Sequence, residues 1–196
     1  MKSFIFATNN AHKIEEVKNI LNQNNDEFLI RSLEDENIHF DIPEPFDSIE
    51  ENACEKARVI YSYTGKNCFA EDTGLEVESL NGEPGVKSAR YAGEGKSSED
   101  NIKKLLAGLE NASNRKARFK TIICLIINSE EYTFEGICKG MIINEKRGNA
   151  GFGYDAVFIP DGSSNTFAEM TMAEKNIYSH RRKAVDGLVN YLKSMK

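Results

Sequence analysis

FAEDTGLEVESL, residues 69–80, is the stretch on which both fold and chemistry turn. Two adjacent acids, Glu71 and Asp72, close an apolar run and lead into a small-residue pair, Thr73-Gly74. Leu75, Val77 and Leu80 then resume something close to strand alternation. The pattern predicts a strand, carboxylates at its end, a turn, and a second strand. Acids held at the end of a rigid element suit a metal or proton-transfer site. Asp and Gly are also ordinary turn formers, so the stretch by itself reads equally as a polar corner. Its surroundings separate the two readings.

The chain has 196 residues, 40% hydrophobic and 29% charged, the composition of a soluble globule. That length predicts one domain over 1–196, or two lobes sharing a sheet, and burial of about 70% of the unfolded surface. No apolar run approaches the roughly 20 residues of a membrane span. The apolar part of MKSFIFATNN is too short for a signal peptide, so a cytoplasmic protein is the expectation. A net charge of −6 argues against non-specific nucleic-acid binding, though not against a small anion met by locally gathered cations. Cys54, Cys68, Cys124 and Cys138 are scattered without C-x-x-C spacing and read as buried thiols. His12, His39 and His180 show no ligand spacing.

Working outward, SFIFA (3–7) reads as a strand, with Thr8-Asn9-Asn10 capping a helix from about 11 to 22. Ile14, Val17, Ile20 and Leu21 form its inward stripe. Lys13 stands in the first turn, where a cation is unfavourable unless an anion binds beside it; an ordinary solvated lysine is the other reading. A second strand spans Phe28 to Leu33, then an acidic loop carries Glu44 between two prolines, stiffened yet also a plain surface acid. The next helix, about 47–63, has a Ser48/Glu51 capping pattern and Gly65 as its stop. Lys56 borders its buried stripe and reaches a cleft or merely snorkels.

NGEPG (81–85) marks a turn, and 86–95 an irregular surface segment. A helix capped by Ser97 or Ser98 turns Ile102, Leu105, Leu106 and Leu109 inward. RFKTIICLIIN (118–128) and YTFEGICKGMIIN (132–144) form a hairpin around an SEE turn. The glycines of GNAGFGYDA (148–156) let backbone approach a flat ligand, with Phe152 or Tyr154 available to stack. A Thr171/Glu174 capping box precedes a terminal helix whose inward face is Ala184, Val185, Leu188 and Leu192. Lys175, His180, Arg181, Arg182 and Lys183 make the densest basic patch of an acidic chain, a solvated face or an anion site.

FATNNAHK (6–13), ENACEKA (51–57), AEDTGLEV (70–77), GEPGVKSARYAG (82–93), GFGYDAVF (151–158) and AEKNIYSHR (173–181), in this order, resemble the inosine triphosphate pyrophosphatase family. These are house-cleaning hydrolases of non-standard purine nucleoside triphosphates, and the GVKSARYAG segment is similar to the bacterial branch. The resemblance implies an α/β fold with a long mixed β-sheet and flanking helices, two lobes around a central substrate cleft, a homodimer, and dependence on Mg²⁺. It implies phosphate contacts from Thr8, Asn9, Asn10, Ala11, His12 and Lys13, joined by Lys56. It implies metal binding by Glu44 and Asp72, with Glu71 alongside and Asp72 as proton acceptor. Thr73, Phe152, Gly153, Tyr154, Asp155, Lys175, His180 and Arg181 would meet the base and adjoining groups. Two departures stand out: Glu71-Asp72-Thr73-Gly74 replaces the common Asp-Asp-Ser-Gly, and Ala156 replaces a common proline.

On that resemblance the substrates are ITP, dITP and XTP, split by water into monophosphate and pyrophosphate. His180 and Arg181 as donors would meet a 6-oxygen and Asp155 an N1–H, so adenine would leave buried polar groups unpaired at about 1–3 kcal/mol each. A pyrophosphatase of modified pyrimidine triphosphates shares the same phosphate groups. A non-catalytic nucleotide sensor would need no water-activating carboxylate. Neither nucleic acid nor membrane is an expected partner.

Overall fold

A computed structural model describes residues 2–23, 28–95 and 97–195. The fold is α/β. Strands β1 (Lys2–Phe6), β2 (Phe28–Arg31), β3 (Cys68–Val77), β4 (Pro84–Gly85), β5 (Lys116–Ile127), β6 (Glu130–Ile142) and β7 (Phe158–Pro160) form one mixed sheet. Its order is β2-β1-β3-β5-β6-β7, with β4 paired to β3. Pairing is parallel in β2-β1-β3 and antiparallel for β3–β4 and β6–β7. The helices are α1 (Ala11–Gln23), α2 (Ile49–Thr64), α3 (Ser98–Gly108), α4 (Met172–Tyr178) and α5 (His180–Ser194). The chain divides into two compact units: residues 1–72, 121–136 and 181–196, and residues 73–120 and 137–180.

Alternation on the strands and 3.6-residue periodicity on the helices build the first unit. Phe4, Phe6, Phe69, Ile123, Leu125 and Ile127 meet Val17, Ile20 and Leu21 of α1 and Ala184, Val185, Leu188 and Leu192 of α5. Phe6 and Phe69 stack with ring centres 4.5 Å apart. The second strand is shorter than its apolar pattern suggests. Ser32 N–H donates to Asp35 Oδ2 (2.8 Å), and Asp35 N–H to Ser32 Oγ (3.1 Å). This reciprocal turn leads the chain out of the sheet after Arg31.

In the second unit, Leu75, Val77, Ile102, Leu105, Leu109, Phe119, Phe158 and Phe167 form the core. Ser97, not Ser98, caps α3, accepting the Asp100 N–H. The irregular 86–95 segment is organised by one buried side chain, Asn101. Its Oδ1 accepts the Ala92 N–H (2.6 Å) and its Nδ2 donates to Ala89 O (3.0 Å).

Two turns differ from their sequence reading. Thr73-Gly74 makes no turn: β3 runs unbroken from Cys68 to Val77, with Leu75 N–H donating to Ser88 Oγ (2.8 Å). A β-branched Thr suits a strand, and a glycine is tolerated there where backbone packs closely. The β5–β6 hairpin turns on Asn128-Ser129, not on SEE; both residues have positive φ (53° and 68°), as a two-residue primed turn requires.

Leu105 is fully buried, so Leu105→Ala leaves a cavity and is expected to lower unfolding stability by about 2–5 kcal/mol, measured by urea titration. A loss under about 1 kcal/mol would contradict its place in the core.

Candidate functional site: two charged clusters

In the first unit the chain leaves β1 through Thr8-Asn9-Asn10 into α1. Asn10 Oδ1 accepts the Lys13 N–H (3.2 Å), and Thr8 Oγ1 accepts the Asn10 N–H (3.2 Å). The cap therefore sets the helix start and leaves N–H groups at a positive terminus. Lys13 Nζ lies 3.2 Å from Glu71 Oε1.

Successive strand residues point to opposite faces. Glu71 and Asp72, adjacent on β3, accordingly take separate partners. Glu71, with no solvent exposure, receives a two-point bond from Arg181: Nε to Oε2 at 2.7 Å and Nη2 to Oε1 at 2.8 Å. Arg181 Nη1 donates to buried Glu16 on α1. Burial opposes Glu71's ionisation, but Arg181 and Lys13 beside it hold its carboxyl well below the usual carboxylate range. Arg181, whose burial works against its charge, is held above its ordinary value by Glu71 and Glu16.

Asp72 faces a different cation. Lys56 Nζ donates to Asp72 Oδ1 (3.0 Å) and to Glu44 Oε1 (2.5 Å). The Glu44 segment is clamped by Asn52, whose Oδ1 accepts the Phe46 N–H (2.9 Å) and whose Nδ2 donates to Phe46 O (2.8 Å). Burial raises the Asp72 pKa; Lys56 and Lys13 pull it down, Glu44 pushes it up again, and the net shift is upward. For Lys56, burial disfavours the charge, and Asp72 and Glu44 more than restore it. Lys56 thus bridges the two carboxylates Glu44 and Asp72, and Lys13, bonded to Glu71, acts on Asp72 as well.

In the second unit Asp155 is buried at the end of the glycine-rich loop. Its Oδ2 accepts the Phe152 N–H (3.0 Å) and the Lys175 Nζ (2.7 Å). The Lys175 ammonium sits 5.4 Å from the Phe152 ring centre and 5.2 Å from that of Phe167. Gly151 is obligatory here: at φ 74° an added Cβ would fall 2.1 Å from Asp155 Oδ2. Gly153 also has positive φ (61°). His180, at the start of α5, stacks on Phe119 with centres 4.7 Å apart. Tyr154 donates its hydroxyl to Ser88 O (2.9 Å), and burial drives its phenol pKa up.

A model of the Ham1 family matches residues 4–191. The chain belongs to the Ham1 family. Among its relatives, the dITP/XTP pyrophosphatase of Flavobacterium psychrophilum is 49% identical over 190 residues, covering 97% of this chain and 98% of that protein. That of Flavobacterium johnsoniae is 50% identical over 192 residues, covering 98% of each. The solved structure of the Staphylococcus aureus Ham1 protein superimposes with a TM-score of 0.88 at 38% identity, covering all of both chains. A HAM1 protein from Coxiella burnetii gives 0.89 at 34% identity, covering 99% of this chain and 100% of that one.

In this Ham1 chain the first unit brings together Thr8, Asn10, Lys13, Glu44, Lys56, Glu71, Asp72 and Arg181. Asn9, Ala11 and His12 lie exposed around the α1 start. The second unit holds Thr73, Phe152, Gly153, Tyr154, Asp155, Lys175 and His180. Three of the expected residues have well-defined partners. Glu71 turns to Arg181 and Lys13. Arg181 directs three nitrogens at Glu71 and Glu16. Tyr154 is a core ring, whereas Phe152 is half-buried. Glu16 and Asn52 escaped the sequence reading. Each is a polar residue on a helix's inward face, at i+3 from Lys13 and i−4 from Lys56, and that spacing was the available signal.

A carboxyl with a depressed folded-state pKa stabilises the fold above its unfolded value, 4.5 for Glu, and that stability is lost as pH falls toward the folded value. Below pH 4.5, Glu71→Gln is therefore expected to lose stability less steeply than the parent, by about 1.4 kcal/mol per pH unit in urea titrations. Parallel curves would contradict the pairing.

Proposed function

We propose that this chain hydrolyses non-standard purine nucleoside triphosphates, dITP, XTP and ITP, to the monophosphate and pyrophosphate. The observation that carries the reading is the Lys56 ammonium drawn onto both Glu44 and Asp72. The names of the half-identical relatives support the substrate class. Glu44 and Asp72 are hard oxygen donors of the kind Mg²⁺ takes, one or two carboxylates with phosphates and water completing the shell. Bound there, Mg²⁺ would neutralise triphosphate charge and make the attacking water more acidic.

The chain's own residues supply the rest. The α1 N-terminus and Lys13 receive phosphate oxygens, and Lys56 adds a second ammonium. Asp72 Oδ2, the oxygen that Lys56 does not hold, takes the proton of the water attacking the α-phosphorus. The bond to the bridging oxygen breaks, and pyrophosphate leaves. A raised pKa makes Asp72 a stronger base than an ordinary aspartate. Arg181 acts through Glu71, holding β3 and Lys13 in place. His180, Phe152 and the Asp155–Lys175 pair address the base. In the same reading the working enzyme is a cytoplasmic homodimer, on the family resemblance; among the described residues no helix is long and apolar enough to cross a membrane.

Pyrophosphate release should be fast with dITP, XTP and ITP and at least about 10²-fold slower with ATP, given two unpaired polar groups. Asp72→Asn should abolish release while leaving nucleotide affinity within about tenfold. Equal rates on ATP, or full activity in Asp72→Asn, would overturn the reading.

A further inference from the structure

The four cysteines lack any metal-binding spacing, yet the first unit brings two of them together. Cys54 comes from the inward face of α2 and Cys124 from β5, seventy residues later. Their sulfurs lie within 4.8 Å of each other. Glu131, near the start of β6, reaches the same place: one sulfur from each cysteine and one Glu131 oxygen all lie within 4.8 Å of one another. Among the described residues this is the one trio of ligand-type side chains so gathered. Both sulfurs belong to buried residues, while Glu131 is exposed. Cys54 and Glu131 also line a polar pocket of about 410 Å³, together with Glu51, Arg58 and Thr133. The trio thus opens to solvent on one side.

We propose that Cys54, Cys124 and Glu131 form a site for a thiophilic divalent cation of the zinc type, distinct from the Asp72 face. Zinc–sulfur bonds of about 2.3 Å at a tetrahedral angle hold two sulfurs roughly 3.8 Å apart, so the two sulfurs need close by about 1 Å at most. Two thiolates and a carboxylate are a soft-to-borderline set that Mg²⁺ does not favour. The fourth position faces the pocket, where water completes a tetrahedron. Binding releases two protons to solvent, one from each thiol, as two metal–sulfur bonds replace the two S–H bonds, and the ionised Glu131 carboxylate adds the third donor. Arg58 now holds Glu131 through Nε (2.8 Å) and Nη2 (2.7 Å). Both partners of that pair are partly exposed, and exposed ion pairs are held weakly, so one carboxylate oxygen turns to the cation at small cost. The bound ion would pin α2 to the β5–β6 hairpin. Cys68 and Cys138 are not among the gathered donors: Cys68 donates to Ala57 O (3.3 Å) and Cys138 is packed in the second unit's core.

The test is titration of the reduced full chain with Cd²⁺ alone, followed by the ultraviolet thiolate-to-cadmium charge-transfer band. One equivalent should saturate the band in the parent chain and in Cys68→Ser. Cys54→Ser and Cys124→Ser should each lose most of it, and Glu131→Gln should weaken affinity about tenfold or more. If circular dichroism shows that Cys124→Ser does not fold, Cys54→Ser at the pocket wall carries the test by itself. No band in the reduced parent, or an undiminished band in Cys54→Ser, overturns the site; binding at Glu44 and Asp72 gives no sulfur band and leaves the pyrophosphatase reading untouched.

Discussion

The two-point bond from Arg181 to Glu71 is the constraint that the first unit is arranged around. Both groups are essentially without solvent, 1% and 0% exposed, and ions so buried persist only when their charges and hydrogen bonds are matched. Arg181 supplies a planar fork to one carboxylate and its third nitrogen to Glu16, while Lys13 closes on Glu71 from α1. The result ties β3, α1 and α5 at one point. Removing either member of such a pair leaves a bare buried charge, a loss of about 3–5 kcal/mol.

Neutralising Glu71 has a chemical consequence for its neighbour. Strand alternation sends Asp72 the other way, toward Lys56 and Glu44, where two acids face one ammonium. One of two adjacent carboxylates is a buried structural anion; the other shares the Lys56 ammonium with Glu44, the pair that the proposed divalent cation and proton transfer would use. Lys13 serves both, bonded to Glu71 and close enough to Asp72 to lower its pKa. The second unit repeats the economy with Asp155, whose Oδ2 fixes the glycine-rich loop through the Phe152 N–H while steering Lys175 over two aromatic rings.

Local patterns were readable in the sequence because their causes are local. The caps at Ser48, Ser97 and Thr171, the left-handed stop at Gly65 (φ 65°), and the inward stripes of α1 and α5 follow from neighbouring residue types. Lys13, Lys56, Glu44 and Asp72 were visible as oddly placed charges, and they do converge. Pairings distant in sequence were not visible. Arg181 meets Glu71 across 110 residues, and the Cys54–Cys124–Glu131 trio draws on three elements, so no spacing rule reveals either. The Thr73-Gly74 reading failed because turn propensity is weak against a neighbouring strand ready to pair.

The central claim is a division of labour between two consecutive acids, and carboxylate-detected NMR titration of Glu71 and Asp72, with and without Mg²⁺, tests it most directly. Glu71 should titrate below an ordinary glutamate and ignore the cation; Asp72 should titrate above an ordinary aspartate and shift downward when Mg²⁺ is added. A Mg²⁺-dependent shift at Glu71 with none at Asp72 would contradict it.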